Sequence, residues 1–210
     1  MRQKIDFGID LGTTNSAIAC MRDGEVLIVK SDDNQMDTTP SCVAFNKKQT
    51  IFVGLSAKNA IEREAISTYK SGKENTDING YQEFKRTMGT DFTYTSSYMS
   101  RSYTSEELSA EVLKKLKGYV LNEDVASAVI TVPAMFKQRQ LDATQRAAKL
   151  AGFKYCELLQ EPIAASIAYG IKAGQTTGYW LVFDFGGGTF DAALMHVEDG
   201  IMKVVDTAGD

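Results

Sequence analysis

The chain has almost no histidine: one residue in 210, His196. One imidazole argues against a Ser-His-Asp triad or a histidine-built zinc centre, and the strand-like surroundings of His196 mark it as structural. Cysteine is equally sparse. Cys20, Cys42 and Cys156 are odd in number, far apart and without a Cys-x-x-Cys pair, the pattern of reduced, mostly buried thiols in a cytoplasmic protein. No apolar run approaches the length that crosses a bilayer, and Met1 to Asp6 lead into a strand without an apolar signal core. Nor is there a basic excess. With 23 Lys and Arg against 27 Asp and Glu, the net charge is −4 and the pI about 5.2, so the footprint of a general nucleic-acid binder is missing. What remains is an ordinary soluble composition, 43% hydrophobic and 24% charged, sized for one large domain or two small ones.

Against that background one stretch stands out. Asp184-Phe185-Gly186-Gly187-Gly188-Thr189-Phe190-Asp191 lies between an apolar run, Tyr179 to Phe183, and an alternating run, Ala192 to Val197. This reads as strand, glycine turn, strand. Successive glycines let backbone N–H groups approach an anion without a Cβ in the way. Flanking aspartates and a threonine hydroxyl suit a metal-bound phosphate, although glycine hairpins of no chemical purpose are common. Phe7-Gly8-Ile9-Asp10-Leu11-Gly12-Thr13-Thr14 has the same layout. Each copy runs on into a second strand and then an Asp-Gly turn, Asp23-Gly24 and Asp199-Gly200. The chain thus holds an internal repeat of about two dozen residues, and two such turns facing each other would clamp a metal–phosphate group from both sides.

The rest of the chain supplies a scaffold. Residues 3–30 read as three strands, Ser31 to Pro40 as a polar loop, and Ser41 to Asn46 and Ile51 to Gly54 as strands. Ser56 to Ile66 has helical spacing, Lys70 to Gly80 is polar, and Tyr81 to Met88 reads as a short helix ended by Gly89. Asp91 to Tyr103 alternates as one or two irregular strands. Thr104 and Glu107 form a capping-box pattern opening a helix with the stripe Leu108, Val112, Leu116 and Val120. Val125 to Val132 is a strand ended by Pro133, Gln138 to Ala151 an amphipathic helix, Tyr155 to Leu159 a strand, and Pro162 to Tyr169 a helix ended by Gly170. Strand and helix alternate after Val125, which predicts an α/β fold with a mixed sheet flanked by helices. Residues 47–123 interrupt it as an inserted small α/β subdomain.

Several stretches then match one family in order. They are Ile9 to Ser16, Phe84-Lys85-Arg86-Thr87-Met88-Gly89, Ser109 to Lys114, Ala128 to Ala134, Glu161-Pro162-Ile163-Ala164-Ala165-Ser166-Ile167-Ala168-Tyr169-Gly170, and the Asp184 stretch. Together they resemble the N-terminal ATPase domain of the seventy-kilodalton heat-shock chaperones of DnaK type, within the wider actin-like, ribonuclease H-like ATPase fold. The resemblance implies a first-lobe core at 1–46 and 124–178, the insertion at 47–123, and the opening strands of a second lobe at 179–210, so that the chain resembles a fragment whose nucleotide affinity alone is low. It implies ATP or ADP with Mg2+ as ligands. Asp10 and Asp184 would hold the metal through its waters. Gly12, Thr13, Thr14, Asn15, Gly186, Gly187, Gly188 and Thr189 would cradle the phosphates, with the hydroxyls of Thr13 and Thr189 as added donors. Lys85 would contact the γ-phosphate and the attacking water, Glu161 would order a water, and Asp191 would act as base. Peptide clients, a co-chaperone and a nucleotide-exchange factor are the implied partners of the intact protein, with no membrane and no nucleic acid.

The chain departs from the family's pattern at Met135, Gln138, Leu141, Glu157 and Gln160. None lies among the phosphate-site residues; the first four bear on coupling to other parts of the family's proteins. Two other classes stay open: a non-enzymatic regulatory or interaction protein that retains the fold, and another actin-like phosphotransferase such as a sugar kinase, which fits Lys85 and Glu161-Pro162 poorly. A carboxylate-based nuclease fits the acidic balance least. The strands Ala192 to Val205 are expected to expose an edge open to pairing.

Overall fold

The computed structural model describes residues 5–72, 78–173, 177–186, 189–198 and 201–209. Three strands open the chain: β1 (Phe7–Leu11), β2 (Asn15–Arg22) and β3 (Glu25–Ile28). The β2–β3 turn places Asp23 and Gly24 at positive φ, 51° and 83°, as an Asp-Gly hairpin turn requires. There follow β4 (Thr39–Pro40), β5 (Val43–Asn46), β6 (Ile51–Val53), α1 (Leu55–Ser71) and β7 (Ile78–Tyr81). A short 3₁₀ turn (Phe84–Thr87) and the hairpin β8 (Tyr94–Ser96) and β9 (Arg101–Tyr103) lead into α2 (Ser105–Gly118). The last part comprises β10 (Ser127–Val132), α3 (Gln138–Leu150), β11 (Tyr155–Gln160), α4 (Glu161–Ala173), β12 (Gly178–Gly186), β13 (Thr189–Glu198) and β14 (Ile201–Gly209).

The main sheet has the order β11-β10-β1-β2-β3, with β4 on the end of β2; β10 is parallel to both β1 and β11, and β1–β2–β3 are antiparallel. It is the mixed α/β sheet that the alternation of strands and helices predicts. Residues of β1 alternate strictly: Phe7, Ile9 and Leu11 are buried while Gly8 and Asp10 are exposed. The apolar face meets Ile18 and Cys20 of β2, Ala128 and Ile130 of β10, the stripe Leu108, Val112, Leu113 and Leu116 of α2, and Ala147 and Ala148 of α3 in one core. Full burial of a branched aliphatic side chain contributes roughly 1.5–3 kcal/mol, so this face anchors the sheet and leaves the other free for chemistry.

A second, small sheet of order β6-β5-β7 is covered by α1, with Cys42, Ala44 and Ala57 at its centre and Phe52 and Ile61 against them. Gly80 is needed there, because a Cβ would lie 2.3 Å from Ile61 Cγ1. The third sheet is β12-β13-β14. Its inner side buries Ala193, Met195 and Val197, whereas β12 turns Tyr179, Leu181, Phe183 and Phe185 outward, Phe185 with 86% of its surface exposed. Tyr179 stacks on His196 and Phe183 on Phe190 across the hairpin, a structural place for the histidine. All three cysteines are free, and burial pushes the thiols of Cys42 and Cys156 up to about 11, which keeps them protonated and inert.

Three boundaries differ from the sequence reading. The α1 helix runs on to Ser71 and closes with Gly72 in the left-handed conformation, taking residues whose polarity reads as loop. The helix expected over Tyr81 to Met88 is the end of β7 followed by the 3₁₀ turn, since three apolar residues in eight cannot distinguish the two. Gly170 does not stop α4; a Cβ there would sit 3.1 Å from the Trp180 ring, so the glycine lets helix and β12 approach. The capping box of α2 is formed on both sides, Thr104 Oγ1 accepting from the Glu107 N–H and Glu107 accepting from that of Thr104. The Asp199-Gly200 turn lies outside the described residues.

Gly89 ends the 3₁₀-turn segment at φ 71°, with the Arg139 carbonyl oxygen 2.7 Å from where a Cβ would be. Gly89→Ala is expected to cost about 2 kcal/mol or more, a fall in Tm of roughly 4–8 °C for a domain of this size; thermal unfolding followed by circular dichroism checks it.

Candidate functional site

Parallel strands deliver their C-terminal ends to one edge of a sheet, and ligands bind in the crevice beyond that edge. Here β1 ends at Asp10-Leu11, β10 leads to Pro133, and β11 leads to Glu161, the first residue of α4. A cavity of about 610 Å³ opens there. It is lined by Asp10, Gly12, Thr13, Thr14, Asn15, Lys85, Glu161, Asp184 and Asp191, closed by Arg86, Pro133, Met135, Phe136 and Gln140. Nine sequence-predicted residues, drawn from four separate stretches of the chain, thus share one hollow. Gly186 ends β12; the Thr189 side chain, Gly187 and Gly188 lie outside what is described.

The first turn is held by hydroxyls that the sequence reading does not single out. The Gly12 N–H donates to Ser16 Oγ at 3.2 Å, Ser16 and Ser41 share a 2.9 Å hydrogen bond, and Ser41 Oγ donates to the Gly12 carbonyl at 2.8 Å. The Gly12 N–H is therefore spent inside the turn. A Cβ at Gly12 would lie 2.0 Å from the Asn15 carbonyl oxygen, so glycine is the one residue that fits. Ser16 stands within the Ile9 to Ser16 stretch; Ser41 has no sequence signal, as it reaches the turn from the next strand pair.

Lys85 rides on the 3₁₀ turn. Its neighbour Phe84 is driven into the core, and Thr87 Oγ1 binds both Ser105 Oγ and Tyr94 OH at 2.7 Å. So fixed, Lys85 is 7% exposed, and its Nζ donates to Glu161 Oε1 at 2.7 Å. Phe136 flanks the ammonium with its ring centroid 5.9 Å away. Burial pushes the Glu161 carboxyl above the ordinary glutamate range; Lys85 pulls it down, and the charges of Asp10 and Asp184 push it up again. Those two aspartates thus act on Glu161 electrostatically as well as lining its cavity.

Asp184 and Asp191 are directly opposed across the β12–β13 hairpin. Like charges facing across a ladder are destabilising, and Asp10 and Glu161 add to the same field. The cavity thus gathers four carboxylates with the buried Lys85 ammonium and the Arg86 guanidinium. Among the described residues no group of three or more His, Cys, Asp or Glu side chains is arranged to ligate a metal directly. The acidic donors facing the cavity are carboxylate oxygens.

The sequence profile of the family described as Hsp70 protein matches residues 6–210. The chain is 40% identical to "Chaperone protein dnaK" of Thalassiosira pseudonana, over 97% of this chain and 36% of that protein. It is 40% identical to the protein of the same name from Trieres chinensis, over 97% and 35%, and 41% identical to "Chaperone protein DnaK" of Thermosipho africanus (strain TCF52B), over 97% and 32%. The chain spans about a third of the length of these curated relatives.

A carboxyl whose native pKa is raised binds more protons folded than unfolded, so its contribution to stability falls as pH rises through and above the ordinary glutamate range. The Tm of the wild type minus that of Glu161→Gln is accordingly expected to shrink as pH increases from about 4 to about 7. Parallel melting curves in a buffer series check the sign; a difference that grows with pH would overturn it.

Proposed function

The chain belongs to the Hsp70 family, and from that premise we propose that it forms part of a chaperone's ATP-hydrolysing domain with an actin-like architecture. In this reading 1–46 and 124–178 make the core of a first lobe, 47–123 an insertion into it, and 179–210 the opening strands of a second lobe. The β8–β9 hairpin, apart from the main sheet, supports the insertion, although the central strand β5 of the β6-β5-β7 sheet comes from 43–46, and the separate β12-β13-β14 sheet supports the last division. Hydrolysis would drive peptide binding and release in the full-length polypeptide, with a co-chaperone and a nucleotide-exchange factor as partners, in the cytoplasm.

The observation that carries the proposal is the buried Lys85–Glu161 pair set between Asp10 on one hairpin and Asp184 and Asp191 on the other. Asp10 and Asp184 would hold Mg2+, which when bound would neutralise phosphate charge. Thr13, Thr14 and Asn15 offer the first turn's remaining N–H groups and hydroxyls to the β- and γ-phosphates, Gly12 shaping the turn. Gly186, Gly187, Gly188 and Thr189 do the same from the second. Lys85 stabilises negative charge as it develops on the γ-phosphoryl group. Glu161 keeps Lys85 in place and orders a water, and Asp191 orients the attacking water and takes its proton. Such chemistry needs positioning and charge, with little covalent help.

Calorimetry of ADP and ATP with and without Mg2+ tests the reading on the full-length polypeptide beside residues 1–210. Mg2+-dependent binding is expected for the former and much weaker binding for the latter. Lys85→Ala is expected to lower turnover by about 100-fold or more while ADP binding stays within a few-fold; unchanged turnover would remove Lys85 from the mechanism. No nucleotide binding by either chain would favour a non-enzymatic, regulatory role for the fold.

A further inference from the structure

Asp10 stands on the wet side of β1, and its surroundings are set by two registers. On one flank β1 pairs with β2 so that Asp10 faces Ala17, whose methyl group offers no hydrogen bond. On the other flank Ile9 pairs with Ile130 of β10, which brings the following residues, Asp10 and Thr131, side by side on the face turned away from the core. Thr131 Oγ1 donates to Asp10 Oδ1 at 3.0 Å. Among the described residues it is the one side chain that hydrogen-bonds this carboxylate. Thr131 and Asp10 also line, with Glu161 and Asp184, a second groove on this side of the sheet.

The second copy of the repeat is built differently. Asp184 faces Asp191 across its hairpin, so like charge opposes it where Asp10 has a methyl group on one side and a hydroxyl on the other. The first aspartate is oriented by a hydrogen bond before any ligand arrives. The second stands opposite a like charge across its ladder.

We propose that Thr131 is a positioning residue: it fixes the rotation of the Asp10 carboxylate by occupying Oδ1, which leaves Oδ2 for the water shell of a divalent cation. The proposal rests on the nucleotide-site reading and assigns a role to a residue outside the phosphate turns. Groups that orient the oxygens of a metal-binding carboxylate act on metal affinity without touching the metal. Threonine suits the position twice over, because its β-branch favours a strand and limits χ1, so the hydroxyl is aimed by the backbone.

The test is Thr131→Val against Thr131→Ser in the full-length polypeptide. Valine keeps the shape and the β-branch and removes the hydroxyl; serine keeps the hydroxyl. ADP binding is measured by calorimetry across a Mg2+ series and in EDTA. For Thr131→Val the Mg2+ concentration giving half of the metal-dependent gain is expected to rise by about 10-fold or more, with affinity in EDTA unchanged. Thr131→Ser is expected to stay close to wild type. An unchanged Mg2+ requirement in Thr131→Val overturns the proposal, and so does an equal loss with and without Mg2+, the signature of a general packing role. A wild type that binds no ADP in either condition removes the nucleotide-site reading and this proposal together, whereas Mg2+-dependent binding untouched by Thr131→Val removes Thr131 alone.

Discussion

The structure depends on the strict alternation of β1 and on the parallel pairing of that strand with β10. Because side chains on a strand alternate faces, burying Phe7, Ile9 and Leu11 under α2 and α3 forces Asp10 to the opposite side. A slip of one residue would bury a carboxylate and expose three large apolar side chains, so the register is specified strongly. Parallel pairing adds direction. It brings the ends of β1, β10 and β11 to the same edge, and the loops and helix start that follow them meet there. Hydrophobic burial on one face of the sheet thus positions polar chemistry on the other.

What gathers at that edge is an unbalanced set of charges. One buried ammonium is matched to one carboxylate, and three further aspartates surround the pair. Breaking a buried ion pair strands an uncompensated charge, a loss of about 3–5 kcal/mol; the Lys85–Glu161 contact is therefore held firmly by the fold that encloses it. The Arg86 guanidinium lines the same cavity. The hydroxyl-braced first turn and Lys85 stand at the same edge as these carboxylates, so groups of both signs share one hollow.

Much of this was legible from the residues alone. The twofold occurrence of apolar strand, Asp, glycine turn pointed to both halves of the cavity, and the capping box at Thr104 marked the start of α2. Lys85 and Glu161 could be singled out only by the resemblance of their surrounding stretches, since a lysine beside an arginine and a glutamate before a proline carry no signal by themselves. Ser41 escaped notice because it stands in no motif and reaches Gly12 and Ser16 only in the fold; Thr131 lies inside the Ala128 to Ala134 stretch, but its contact with Asp10 comes from the β1–β10 register, which that stretch alone does not reveal. The reading failed at Gly170 for a related reason. A glycine late in a helical pattern looks like a stop signal, whereas here it makes room for Trp180 on a strand that comes later in the chain. Local rules see the backbone freedom of glycine and miss what it is near.

The outward row on β12 bears on how the folded chain is lost. From Gly178 to Phe183 the strand has no charge and no proline, its alternate side chains are aromatic or aliphatic and exposed, and it lies at the edge of its sheet. Such segments pair with one another readily once two copies meet. When residues 1–210 are heated alone, encounters between these strands compete with refolding. At high protein concentration the loss of structure is then expected to become irreversible and the melting temperature to depend on heating rate, whereas dilute samples melt at equilibrium.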